Sequence, residues 1–287
     1  MSRLPGLYNF TLIFVMCSIW AGNYFVIKYS IAYSSPILFA LLRSVGAGLF
    51  LLMISGTEVR RLSRRDIGYL ALIGLFQVSI FYITLNVGLE TVNSSVAATL
   101  VYTQPVLVVA LSPLVGERLT PMKVVGVVAA FIGVGTIFLP DLETSGLAIG
   151  DALELIASLS WVVSILIFKS WKHTLSHYTV PGVQNMIGAL FILPFLPLEA
   201  VRLDAVPLFW VYLAYITILG SGISYAIYFR ALSRMQASVF TSYLFMVPVL
   251  TTVFQSIITL TLPGAYEVIG TVLVSAGIII VNRNFMG

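Results

Sequence analysis

Gly88-Leu89-Glu90-Thr91-Val92-Asn93-Ser94-Ser95-Val96 has a counterpart in the same chain, Ala231-Leu232-Ser233-Arg234-Met235-Gln236-Ala237-Ser238-Val239, 143 positions later. In both, one apolar run ends, a short polar turn follows and another apolar run begins. The match extends outward. Pro105-Val106-Leu107 falls on Pro248-Val249-Leu250, and after a one-residue slip Gly126 and Gly133 fall on Gly270 and Gly277. Toward the N-terminus, Trp20 falls on Trp161 and Lys28 on Lys169, at an offset of 141. The chain reads as one unit written twice, residues 1–144 and 145–287.

Composition says what the unit is made of. Of 287 residues, 59% are hydrophobic and 9% charged, and the mean hydropathy is +1.04. Soluble domains carry about 25% charge. These values exclude a disordered chain and a nucleic-acid binder, and the lone Cys17 excludes a disulfide scaffold. A multi-span membrane protein remains. The apolar segments are 9–28, 36–54, 66–86, 92–115, 121–139, 150–169, 178–197, 207–229, 236–259 and 265–282. Such long continuous runs are helices, because barrel strands are short and alternate. Ten helices of about 20 residues leave only short loops and no room for a soluble domain. The first run is followed by no cleavage-site pattern and reads as a retained helix. An odd unit of five spans, repeated once, places its copies in opposite orientations. Inverted repeats of this kind are a common plan of secondary transporters.

The loops alternate in charge. With the N-terminus placed in the cytoplasm, that side collects Arg3, Arg60, Arg61, Arg64, Arg65, Arg118, Lys123, Lys169, Lys172, Arg230, Arg234 and Arg283, which is 12 of the 15 basic residues. The far side keeps Lys28 and Arg202, together with most of the acids: Glu90, Asp141, Glu143, Asp151, Glu154, Glu199, Asp204 and Glu267. Basic residues set orientation. The expectation is an all-α membrane protein of ten transmembrane helices, two five-helix inverted repeats, with both termini cytoplasmic.

Several motifs together resemble a known family. They are Ser18-Ile19-Trp20-Ala21-Gly22-Asn23, Ala40-Leu41-Leu42-Arg43, Asn93-Ser94-Ser95-Val96-Ala97-Ala98 with Gln104-Pro105-Val106, Gly116-Glu117-Arg118-Leu119, and Gly150-Asp151 with Ser160-Trp161. Their order and spacing resemble the drug/metabolite transporter superfamily in its ten-helix EamA-type branch. The resemblance covers nearly the whole chain. It implies a transporter of small metabolites in a bacterial inner membrane, often an exporter. Within the branch the chain looks most like YddG-type exporters of aromatic amino acids. It departs from the pattern at Thr259-Leu260-Thr261-Leu262-Pro263, where the second half should repeat the Gly-Glu-Arg element.

Polar and aromatic residues inside the spans are the candidates for a substrate site. An amide in lipid needs a partner, so Asn23, Gln77, Asn86, Gln104, Gln184, Asn185 and Gln255 either line a wet cavity or bond neighbouring helices. Trp20, Tyr24, Tyr82, Tyr102, Trp161, Tyr225 and Tyr243 fall well inside spans. They offer stacking faces and hydroxyls to a ligand with an apolar or aromatic side chain, or else pack an ordinary core. Tyr82 and Tyr225 are repeat mates. Arg43, about 10 Å into the second span, could bind a substrate carboxylate or snorkel to the interface. Pro105 and Pro248, near the middle of the fourth and ninth spans, each remove a backbone bond and free a carbonyl, at Val101 and Leu244, as a hinge or a static kink.

No acid lies mid-span; Glu154 and Glu267 sit a few residues from outer ends. Facilitated diffusion is therefore expected, with proton-coupled antiport of drugs or metabolites as the alternative. His173 and His177 have a metal-like spacing but no carboxylate or cysteine near them. No phosphate loop or nucleophile elbow is present. The sequence reading is a non-enzymatic, monomeric exporter of neutral or zwitterionic metabolites, with large neutral or aromatic amino acids as the expected substrates. It works by alternating access in a lipid bilayer, without cofactor, metal or nucleic acid. An intramembrane enzyme or a structural membrane subunit is the reading from another class.

Overall fold

The computed structural model describes residues 6–92, 94–145 and 149–282. Arg3, Asn93 and Arg283 lie outside them, as do the side chains of Asp141 and Glu143. Among the described residues no regular strand occurs, and nine helices are long and apolar enough to cross a membrane. A further apolar helical stretch, Pro121–Ile137, is shorter. In chain order the helices are α1 (Gly6–Ser30), α2 (Pro36–Ser55), α3 (Arg64–Thr91), α4 (Ser94–Val101 and Gln104–Leu111), α5 (Pro121–Ser145), α6 (Ile149–Ser170), α7 (Thr179–Leu198), α8 (Pro207–Arg234), α9 (Ala237–Tyr243 and Met246–Thr259) and α10 (Ala265–Asn282).

Equivalent irregularities recur in the two halves. A π-helical stretch interrupts α3 at Gly74–Ile80 and α8 at Ile216–Ile223, and π-turns often mark functional segments. The prolines do more than kink. α4 is broken at 102–103, just before Pro105, and α9 at 244–245, before Pro248. A proline cannot donate to the carbonyl one turn back, so the helix restarts. At the second break the Leu244 carbonyl is not left free: it accepts from the Val247 amide at 2.9 Å.

Close crossings need glycine. A Cβ on Gly126 would lie 2.8 Å from the Gly277 carbonyl, and one on Gly133 would lie 2.7 Å from the Gly270 carbonyl. The two glycine pairs are repeat mates of one another, and they bring α5 and α10 into backbone contact.

Carboxylates fasten the helix ends. Glu199, after α7, accepts from the Ile37 and Leu38 amides at the start of α2, at 3.0 and 2.8 Å. Glu58, after α2, accepts from the Ser176 amide at 3.1 Å and from the Thr179 hydroxyl at the start of α7. Glu58 and Glu199 are 141 positions apart, so each half caps the other. A carboxylate there satisfies unbonded amides and opposes the positive helix end. Glu117 does the same for α9, accepting from the amides of Ala237 and Ser238 and from the Ser238 hydroxyl at 2.6 Å. Its mate position is the 92% exposed Leu260, which has no carboxylate to offer a helix start. Lysines close the C-terminal ends. Lys28 donates to the Leu89 and Val92 carbonyls at the end of α3. Lys169 donates to Leu232 and Met235, at 3.0 and 2.7 Å, at the end of α8.

Candidate functional site

The capped helices hold two pairs of repeat mates face to face at the centre of the molecule. The Trp20 and Trp161 rings meet edge to face, with centroids 5.3 Å apart. The Tyr82 hydroxyl donates to the Tyr225 hydroxyl at 2.9 Å. The indoles are pinned by different partners: Trp20 donates to the Gly220 carbonyl in the π-stretch of α8 at 3.1 Å, and Trp161 to the Tyr228 hydroxyl at 2.9 Å.

Beside these pairs lies a cavity of about 400 Å³, counted with the solvent space at its mouth. About 30 Å³ of it is wide enough to admit solvent, room for roughly two waters. Trp20, Asn23, Tyr24 and Ile27 of α1 line it, with Arg43 of α2 and Phe81 and Leu85 of α3. Val101, Tyr102 and Gln104 of the broken α4, Trp161 of α6 and Tyr225 of α8 complete it.

Among the described residues Arg43 is the only charged side chain in that lining. It is 3% exposed. Its Nε and Nη2 donate to the Ser221 hydroxyl at 3.2 and 3.0 Å, and its guanidinium carbon lies 3.9 Å from the centre of the Tyr82 ring. Cation–π contact and one hydroxyl hold the fork flat. Nη1 has no partner. Two acceptors in the lining also lack partners: Oδ1 of Asn23 and Oε1 of Gln104. Gly220 makes room for Asn23, since a Cβ there would lie 2.7 Å from its Oδ1. The cavity thus presents one free cationic donor, two free acceptors and an aromatic wall. Unpaired buried polar groups cost free energy unless a ligand or water completes them.

Seven of the eleven residues singled out as substrate contacts share this lining: Trp20, Asn23, Tyr24, Arg43, Tyr102, Trp161 and Tyr225. Tyr82 lies beneath Arg43. Three are placed elsewhere. Asn86 donates to the Pro36 carbonyl at 3.0 Å, and Gln77 accepts from Gln184 at 3.3 Å; both bond helix to helix. Tyr243 is half-buried against Phe10, with ring centroids 6.2 Å apart, and does not line the cavity. A tyrosine just before the break in α9 points toward the outer flank of α1, which helical spacing alone does not show.

Two stretches of the chain, residues 8–139 and 148–283, match the EamA-like transporter family. The chain belongs to that family. It is 26% identical over 261 residues to the uncharacterized transporter YvbV of Bacillus subtilis (strain 168), covering 90% of this chain and 86% of that one. It is 28% identical over 268 residues to an uncharacterized transporter of Archaeoglobus fulgidus, covering 92% and 95%. The uncharacterized inner membrane transporter YedA of Escherichia coli (strain K12) is 28% identical over 247 residues, covering 84% and 79%. One solved crystal structure superposes over 100% of both chains with a TM-score of 0.79 at 18% identity, a likeness of fold.

In this EamA-like transporter Glu154 sits on the second turn of α6, near the helix end as the sequence has it. What the sequence did not show is that it is fully buried and that neither carboxyl oxygen has a hydrogen-bond partner. Sequence reasoning also passed over Ser221 and Phe81. Ser221 follows Gly220, the repeat counterpart of Gln77, and a serine in an apolar run carries no signal of its own.

Proposed function

We propose that this transporter exports zwitterionic amino acids with large neutral or aromatic side chains, binding them in the cavity between its halves. The observation that carries the reading is the unpartnered Nη1 of Arg43, a buried cation held open toward an aromatic-walled cavity. A carboxylate matches a guanidinium in charge and geometry. The free acceptors of Asn23 and Gln104 suit the ammonium group. The faces of Trp20, Phe81 and Trp161 suit an apolar or aromatic side chain. Phosphorylated metabolites would bring more negative charge than one arginine offsets, and polyamines would meet Arg43 with like charge.

In this reading the chain crosses a bacterial inner membrane ten times with both termini in the cytoplasm, as a monomer. The two halves exchange inward- and outward-open states around the central pairs. The broken helices α4 and α9, with Pro105 and Pro248, are the hinges. The absence of a catalytic constellation in the sequence favours transport over an intramembrane enzyme.

Counterflow in proteoliposomes tests the reading. Vesicles loaded with unlabelled phenylalanine should take up labelled phenylalanine, leucine and tryptophan saturably, and not a labelled sugar phosphate. Equal uptake of all, or none with intact protein, would overturn the substrate class.

A further inference from the structure

α1 and α8 come from opposite halves and run side by side. At the centre the Trp20 indole reaches the Gly220 carbonyl. Toward the end at which α8 finishes, the two helices leave a cleft of about 290 Å³, counted with the open space at its mouth. Leu12 and Ile13 of α1 and Ile227, Ala231 and Met235 of α8 give it an apolar base. Arg230, half-buried, and Arg234, exposed, supply its charge. The α8 side is one continuous face. Ile223, Ile227, Arg230 and Arg234 are spaced by four, three and four residues, so their side chains fall on one side of the helix. The exposed Ile223 carries the apolar part of that face beyond the cleft, and the exposed Val15 lies one turn above Leu12 on α1. From Ile223 to Arg234 is about 16 Å along the axis. That is close to one leaflet's share of a hydrocarbon core about 30 Å thick. The charge lies at the end where α8 leaves the membrane.

The repeat shows that this cleft is particular to one end. The mates of Ile227, Arg230, Ala231 and Arg234 are Thr84, Val87, Gly88 and Thr91 of α3. There the helices meet: a Cβ on Gly88 would lie 3.2 Å from the Gly150 carbonyl of α6, and one on Gly150 would lie 2.9 Å from the Gly88 carbonyl. Ala231 carries the methyl for which so close an approach has no room. Membrane orientation asks only for basic residues somewhere on this side. It does not ask for two arginines one turn apart over an apolar cleft. Helix capping does not ask for them either, since Lys169 donates to the Leu232 and Met235 carbonyls that end α8. Their field reaches the link between α6 and α7. Burial, and then the charges of Arg230 and Arg234, hold the His177 imidazole there below the ordinary histidine range.

We propose that this cleft is a binding site for one anionic phospholipid. The phosphate rests on Arg230 and Arg234, whose planar forks match phosphate oxygens. One acyl chain lies in the cleft against Leu12, Ile227 and Met235 and follows the face to Ile223. Charge complementarity selects the occupant. A zwitterionic lipid brings a cation of its own toward the two arginines, and a free phosphate leaves the apolar base uncovered. A basic cluster at the end of a membrane helix draws anionic headgroups from the adjoining leaflet. Because the lipid touches α1 and α8 together, it favours the arrangement of the two halves in which the cleft is present. Its binding does not depend on which solute the central cavity takes.

Native mass spectrometry of the full-length protein in detergent tests the site, with dioleoyl phosphatidylglycerol and dioleoyl phosphatidylcholine as probes. The wild type should retain one phosphatidylglycerol at least about tenfold more tightly than phosphatidylcholine, as two arginines near the surface would give. Arg230→Gln with Arg234→Gln should bring the two lipids within about twofold of each other. Arg60→Gln with Arg64→Gln removes two exposed arginines on the side that the charge pattern marks as cytoplasmic, and should leave the preference intact. Ala231→Leu keeps both charges, fills the cleft and should lose the lipid. Thermal melts in detergent read the same binding. Phosphatidylglycerol should raise the midpoint of the wild type and of the Arg60 and Arg64 variant, but not that of the Arg230 and Arg234 variant. Glycerol phosphate, the headgroup without chains, should not raise it. Four results would each overturn the proposal: no lipid preference in the wild type, an equal loss in the Arg60 and Arg64 variant, phosphatidylglycerol retained by Ala231→Leu, or a rise with glycerol phosphate as large as with the lipid.

Discussion

Tyr82 and Tyr225 hold equivalent places in the two halves, and their hydroxyls meet at 2.9 Å. The Tyr82 ring carries the Arg43 guanidinium on its face, and its hydroxyl lies 3.3 Å from the Ser221 oxygen that Arg43 also bonds. One contact therefore joins the halves and positions the cation of the cavity lining. Tyr82→Phe should keep the platform and lose the bond, lowering the transport rate several-fold, in keeping with about 1 kcal/mol for a buried hydrogen bond. Tyr82→Ala removes the platform too and should cut transport much further without preventing membrane insertion. Rates and expression measured side by side check both.

Arg43→Ala should raise the KM for phenylalanine at least about tenfold, as a charged hydrogen bond is worth roughly 1.5–3 kcal/mol. Arg43→Lys should recover little, because a lysine cannot present a planar fork. If Arg43→Lys transports like the wild type, the guanidinium geometry is not what the substrate reads.

Pro248→Ala restores an amide able to bond the Leu244 carbonyl, and Pro105→Ala does the same for Val101. Continuous helices at α9 and α4 should slow exchange several-fold while leaving equilibrium binding within about twofold, a difference well under 1 kcal/mol. Normal exchange rates would make these prolines packing residues.

Gly133→Leu forces a side chain against the Gly270 carbonyl, 2.7 Å from where its Cβ must sit. The cost of such overpacking is typically about 1–3 kcal/mol, so the melting temperature in detergent should fall by several degrees. Gly135, where a Cβ meets nothing within 4 Å, should accept alanine without loss.

The link between α6 and α7 should carry a pH dependence of stability. Trp171 is sandwiched between Tyr69 and His173, at 5.5 and 4.2 Å. Burial holds the His173 imidazole below the ordinary histidine range, against the opposing charge of Asp66. The folded state then binds the proton less tightly than the unfolded chain does. Stability is full above the unfolded histidine pKa of about 6.5 and falls as the pH drops below it. His173→Phe keeps the stack without the charge and should flatten thermal melts between about pH 7 and 5. Some slope should remain from His177, which burial shifts the same way.

What could be read in the sequence follows the repeat. Trp20 and Trp161 stood out because one offset links them, and they meet at the centre. The same offset would have found the Glu58 and Glu199 caps, which carry no motif of their own. Composition and apolar runs were enough for helices and a membrane. Burial across a crossing was out of reach. The burial of Glu154 could not be read because its cover, Gly88, lies 66 positions earlier. Asn86 looked like a site residue, but it lies outside the cavity lining, where its amide donates to the Pro36 carbonyl. Tyr243 packs against Phe10 and lies outside the cavity lining, a contact between α1 and α9 that sequence spacing does not show.

Ligand binding to purified protein, followed by calorimetry, tests the central claim most directly. Phenylalanine should bind, and phenylalaninamide, which lacks the carboxylate but keeps the ring and the ammonium, should bind at least about tenfold more weakly, the loss expected for one charge-assisted bond. Arg43→Ala should erase that difference. Equal binding of acid and amide by the wild type would contradict an arginine-read amino acid in the central cavity.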